Sequence, residues 1–135
     1  MNDHMIHELI EFLIKKINPA FIILFGSQAK NKAHKESDLD LAFYKPEPTI
    51  SAYDTFMIAQ ELADKIKIEV DLIDLAQAST VFKAQIFATG KILYSSDPNL
   101  LIAYRMTALS MYARLNEERK EILTQIEESG SIYGI

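Results

Sequence analysis

The spacing of apolar residues changes period several times along this chain, and each change marks an element. Ile6, Leu9, Ile10, Leu13, Ile14 and Ile17 recur at intervals of three and four, the stripe of an amphipathic helix. Pro19 ends it. Phe21-Ile22-Ile23-Leu24-Phe25 is a continuous apolar run rich in β-formers, which predicts a buried strand closing at Gly26. Residues 28–37 are polar and lysine-rich, and Gln28 to Lys32 fit a short helix whose first turn lies at Gly26-Ser27. Residues 38–44 alternate as a strand does, until Pro46 and Pro48 stop the pattern. Over 50–66 the period is helical again, with Phe56, Ala59, Leu62, Ala63 and Ile66 on one face. Ile68 to Ile73 alternates and predicts a third strand. Residues 76–88 fit a helix closed by Gly90, and Lys91 to Tyr94 a short edge strand. Asp97-Pro98 joins an N-cap acceptor to a proline at the first helical position, predicting a helix that runs to about Ile126.

These elements describe an α/β core over residues 1–95. A C-terminal helix over 96–128 packs on that core, and a flexible tail occupies 129–135. In the last helix, Leu101, Tyr104, Met111, Tyr112 and Leu115 cover one sector, and Ile102, Met106 and Leu109 an adjacent one. That arc is wider than one buried stripe requires. One part can face the core and the other a second chain, where Met and Tyr are frequent.

Bulk properties narrow the chemistry. The 135 residues suffice for one domain, and 49% of them are apolar, as in a folded globular protein. The net charge of -5 argues against direct gripping of nucleic acid by its phosphates. With no cysteine, thiol nucleophiles, disulfides and Cys-ligated zinc are excluded. No signal peptide is evident at the N-terminus, and no apolar run is long enough for a membrane span. The expectation is a cytoplasmic protein that does not engage membranes.

The candidate chemistry lies in carboxylates at strand parity. In a strand, alternate side chains share a face. If Leu39, Leu41 and Phe43 turn into a core, Asp38 and Asp40 point the other way, roughly 7 Å apart between Cα atoms. Ile68, Val70 and Leu72 likewise leave Glu69 and Asp71 on the opposite face. Were the two strands neighbours, Asp71 would meet Asp38 and Asp40. Three converging carboxylates need a cation among them, and oxygen ligands suit magnesium. Two ions about 3.5–4 Å apart can bridge the attacking and leaving oxygens of a phosphoryl centre. Asp38 and Asp40 would hold the triphosphate-bound metal, and Asp71 would complete the second site and help deprotonate the attacking hydroxyl. Gly26 lets a phosphate approach the backbone, and Ser27 and neighbouring N–H groups can donate to it. Lys30, Lys32 and Lys35 can neutralise phosphate charge. Asp74 falls on the face opposite Asp71 and reads as a turn or capping residue. His4, His7 and His34 show no metal-ligand pattern. Each element has a mundane reading by itself: an exposed Asp-x-Asp, an ordinary Gly-Ser turn, solvated lysines. Their order and parity together are far more specific.

Gly26-Ser27, ten intervening residues and Asp38-Leu39-Asp40 resemble the GS-x10-DxD motif of the polymerase-β-like nucleotidyltransferase superfamily. Phe25-Gly26-Ser27, the short chain and the segment Glu69-Val70-Asp71-Leu72-Ile73-Asp74-Leu75 are similar to its minimal (MNT) branch, and most of all to the antitoxins of HEPN/MNT toxin–antitoxin pairs. The resemblance covers roughly residues 1–95. It implies a polymerase-β-like fold with a small mixed sheet flanked by helices, magnesium (two ions), and ATP as donor. For such antitoxins it implies AMP transfer to a tyrosine of a cognate HEPN ribonuclease within a complex that can be oligomeric. By matching positions, Gly26 and Ser27 take the phosphate role, with Gln28 and Lys30 beside them. Asp38 and Asp40 take the metal role and Asp71 that of the third carboxylate. Many relatives carry Arg where this chain has Gln28, so a loop lysine would have to neutralise the triphosphate instead. The alternatives are a small-molecule, aminoglycoside-type nucleotidyltransferase, and an antitoxin that neutralises by binding alone.

Overall fold

A computed structural model describes residues 2–29 and 38–128. Helix α1 (Asp3–Lys16) starts where the Asn2 side chain accepts from the Met5 N–H at 2.8 Å. Strand β1 (Phe21–Phe25) leads into the single turn α2 (Gly26–Ala29). Strand β2 (Leu39–Tyr44) is followed by α3 (Ala52–Ile66), capped by Ser51, whose hydroxyl accepts from the Asp54 N–H at 3.0 Å. Such a cap contributes about 1 kcal/mol. Strand β3 (Val70–Asp74), a short 3₁₀ turn at Leu75–Gln77, α4 (Thr80–Thr89), β4 (Lys91–Ser95) and α5 (Pro98–Glu128) complete the chain.

The four strands form one mixed sheet in the order β3-β2-β1-β4. β1 pairs antiparallel with β2 and with β4, whereas β2 and β3 run parallel. A parallel pair needs a crossover, and α3 supplies it. The register sets Phe25 beside Asp40 and Asp40 beside Asp71.

Both faces of the sheet are covered, which explains the unbroken apolar run of β1. On one face Ile22, Leu24, Leu39, Leu41, Phe43 and Leu72 pack with Leu9 and Leu13 of α1 and Ala59, Leu62 and Ile66 of α3. On the other, Phe21, Ile23 and Ala42 pack with Ile86 and Phe87 of α4 and Ala108 of α5. Tyr104 anchors α5 there. Its ring lies 4.4 Å from Tyr44 and 5.6 Å from Phe21, centroid to centroid. Beyond that anchor α5 has little to pack on: Ile102, Met106, Met111, Ile122 and Leu123 are all more than half exposed.

Several sequence expectations shift. Phe56 does not join the buried face of α3. It is 59% exposed, and Thr55 occupies that face, donating its hydroxyl to the Ser51 carbonyl at 2.9 Å. The helix expected over 76–88 is interrupted at Ala78–Ser79. The third strand opens at Val70 rather than Ile68. Gly90 has φ of -82°, so it ends α4 by leaving room for Ile23 and the Ile86 carbonyl rather than by a left-handed turn. The core is also two-sided, whereas alternation in β2 and β3 suggested one buried face.

Candidate active site

The carboxylates meet at the end of the sheet where β1 finishes and β2 begins. Leu39, Leu41 and Phe43 are fully buried against α1 and α3. Strand alternation therefore turns Asp40 to the α4 side. Leu72 packs beside those leucines, which turns Asp71 to the same side as Asp40. The parallel register then makes Asp40 and Asp71 neighbours. Asp38 stands exposed just ahead of β2.

Electrostatics records this convergence. Burial pushes the Asp40 carboxyl above the usual carboxylate range, and the negative charges of Asp71 and Asp38 push it further. Among the described residues, no trio of His, Cys, Asp or Glu is drawn together tightly enough to hold a metal ion unaided. The aspartates are thus an open, mutually repelling set of hard oxygen donors. That suits magnesium, which keeps several water ligands and binds through one or two carboxylates plus substrate phosphates.

Gly26 is built into this arrangement. Its φ is +73°, and a Cβ there would collide with the Asp40 carboxylate. Only glycine combines that backbone with that proximity. The turn therefore lies directly against the carboxylate that a metal–triphosphate would require. Ser27 and Gln28 follow Gly26 in α2. Their side chains lie outside the described residues, as do Lys30, Lys32, Lys35 and His34. Asp74 caps the 3₁₀ turn, its Oδ1 accepting from the Ala76 N–H at 3.0 Å.

The surroundings of Asp71 were not legible in the sequence. A groove of about 780 Å³ follows β3 from Val70 to Asp74, between the start of α3 and the start of α4. Phe56 and Phe82 are among its walls. Phe82 also meets Phe25 edge-on, with centroids 5.8 Å apart. The break at Ala78–Ser79 forms part of the groove, and a single helix over 76–88 would conceal it.

The Polymerase beta, Nucleotidyltransferase family model matches residues 7–99. The chain belongs to the polymerase β nucleotidyltransferase family. This nucleotidyltransferase is 32% identical, over 93% of its length and 88% of the relative's, to the protein adenylyltransferase MntA of Shewanella oneidensis. Among solved structures it is similar to a toxin–antitoxin complex crystallised with AMP-PNP. There the TM-score is 0.80 at 31% identity, covering 90% of this chain and 98% of the other. It is also similar to a chain from the complex of tri-AMPylated Shewanella oneidensis HEPN toxin with MNT antitoxin. In that case the TM-score is 0.77 at 29% identity, covering 94% and 99%. The mixed sheet expected from the resemblance and the long final helix expected from Asp97-Pro98 are those of this nucleotidyltransferase.

Proposed function

We propose that this nucleotidyltransferase is an antitoxin that transfers AMP from ATP to a tyrosine of a cognate HEPN toxin. One observation carries the reading: Asp40, packed against Gly26 and beside Asp71, with Asp38 adding its charge. The similarity to MntA, and to an antitoxin found with an AMPylated HEPN toxin, supports the acceptor class.

In this reading the tyrosine oxygen attacks the α-phosphorus of ATP. A new P–O bond forms, the bond between the α-phosphorus and the bridging oxygen breaks, and pyrophosphate leaves. Asp71 takes the phenolic proton. Asp38 and Asp40 would hold magnesium, which would offset the charge of the triphosphate and of the transition state. The backbone at Gly26 receives a phosphate without a Cβ in the way, with Ser27, Gln28 and Lys30 assigned to the same triphosphate. The exposed sector of α5, Ile102 with Met106 and Leu109, is assigned to toxin contact.

Labelled ATP separates this reaction from phosphorylation. With magnesium and a HEPN protein of the same host, label at the α-phosphate should appear on that protein and label at the γ-phosphate should not. EDTA should abolish the transfer. Label entering an aminoglycoside with no protein partner would instead support the small-molecule alternative.

A further inference from the structure

The sheet is unfinished on the side nearest Asp71. Among the described residues β3 is an edge strand, paired only with β2. The Glu69 carbonyl accepts from the Leu39 N–H at 2.8 Å. Backbone groups alternate sides along a strand, so those of Asp71 and Ile73 also face β2. Those of Val70 and Leu72 face the open edge. Natural proteins usually blunt such an edge by covering it, charging it or bending it. Here it opens into the groove instead, with Asp71 and both central residues of the edge among its lining.

The groove walls are apolar where they meet this edge. Ala59 and Phe56 stand on the α3 side and Phe82 on the α4 side. Phe56 continues onto the surface into Tyr53 and Met57, which are 68% and 41% exposed. These three residues recur at helical spacing on α3, and among the described residues each keeps a large part of its surface exposed. An unpaired edge, an apolar trough and an exposed apolar lip thus adjoin one catalytic carboxylate.

We propose that the free edge of β3 receives an extended segment of the acceptor protein as a fifth strand, delivering its hydroxyl to Asp71. This rests on the nucleotidyl-transfer reading above. Strand parity fixes how that segment must lie. β3 presents Leu72 to the α3 side and Asp71 to the α4 side, and an added strand inherits the same alternation. The residue carrying the hydroxyl must point toward Asp71. Its two immediate neighbours then point toward Ala59 and Phe56, where apolar side chains fit. Main-chain pairing supplies register and the α3 wall supplies selectivity, which together position a macromolecular acceptor.

Residue-resolved hydrogen exchange of the full chain tests this, alone, with magnesium and AMP-PNP, and with the HEPN protein of its host. The amides of Val70 and Leu72 should exchange at least about tenfold more slowly only in the protein complex. Those of Asp71 and Ile73, already paired with β2, should change little. Phe56→Lys, at an exposed position, should raise KM for the protein acceptor about tenfold or more and leave AMP-PNP binding unchanged. Should the wild type modify the HEPN protein while Val70 and Leu72 stay unprotected and Phe56→Lys acts normally, the added strand is wrong and the transferase reading survives. Protection by magnesium and AMP-PNP alone would assign the groove to the nucleotide and overturn the proposal. If the wild type transfers no AMP to any protein, the underlying reading itself fails.

Discussion

Asp40 is held at a cost. Its carboxyl titrates above the usual range because burial and two nearby aspartates disfavour the charge. A group whose folded pKa is raised destabilises the folded state once pH exceeds the unfolded value and the charge forms. Without metal at neutral pH, Asp40→Asn should therefore melt a few degrees above the wild type, in calorimetry, while losing nucleotidyl transfer. Magnesium with ATP should raise the melting temperature of the wild type and not that of Asp40→Asn. Gly26→Ala is expected to act oppositely. It forces a side chain into a left-handed backbone and against the Asp40 carboxylate. It should lose about 1–3 kcal/mol of stability in denaturant titration and most of its transfer activity. Tyr104 gives a third residue-scale test. Burial, helped by Tyr44 and Asp74, pushes its phenol up to about 12. The folded protein keeps a proton that the unfolded chain loses near pH 10, so stability is full below about 10 and falls as pH rises toward 12. Denaturant midpoints at pH 8, 10 and 11.5 should show that decline, and Tyr104→Phe should flatten it.

At the scale of elements, the strands were legible because their periods were clean. Phe21–Phe25 and Leu39–Tyr44 were readable to within a residue, since a short unbroken apolar run and strict alternation both suit a strand far better than a helix. Alternation even gave the parity of Asp40 and Asp71, although the parallel pairing that makes them neighbours depends on α3 crossing over. Helical period misled where it competed with packing. Phe56 fits the α3 stripe by spacing, yet its position in three dimensions lies at the groove lip. The break at Ala78–Ser79 was invisible because helical composition continues across it; only the capping hydroxyl of Ser79, accepting from the Phe82 N–H at 3.1 Å, marks the restart. The start of α5 was legible from Asp97, whose Oδ1 accepts from the Leu100 N–H at 3.2 Å. Its two sectors divide only in part: Leu101 and Tyr104 pack inward while Ile102 and Met106 are exposed, but Met111 of the first sector is exposed too. Ile102→Glu with Met106→Glu should leave the circular dichroism and melting temperature near the wild type and weaken toxin binding at least tenfold in calorimetric titration. Unchanged affinity would remove α5 from the interface.

For the molecule as a whole, the proposed function draws the donor and the acceptor from different sources. The sheet end brings together the carboxylates and the glycine turn to which the proposed function assigns ATP and magnesium. Among the described residues, no helix is long and apolar enough to cross a membrane. The proposed function has the acceptor arrive as a surface of another protein, so the activity is expected to depend on a complex. Intact mass spectrometry of the HEPN partner, after incubation with this chain, ATP and magnesium, tests that account most directly. One or more AMP additions with the wild type, and none with Asp40→Ala despite an intact complex, is the predicted result. An unmodified partner in a stable wild-type complex, or modification that survives Asp40→Ala, would contradict it.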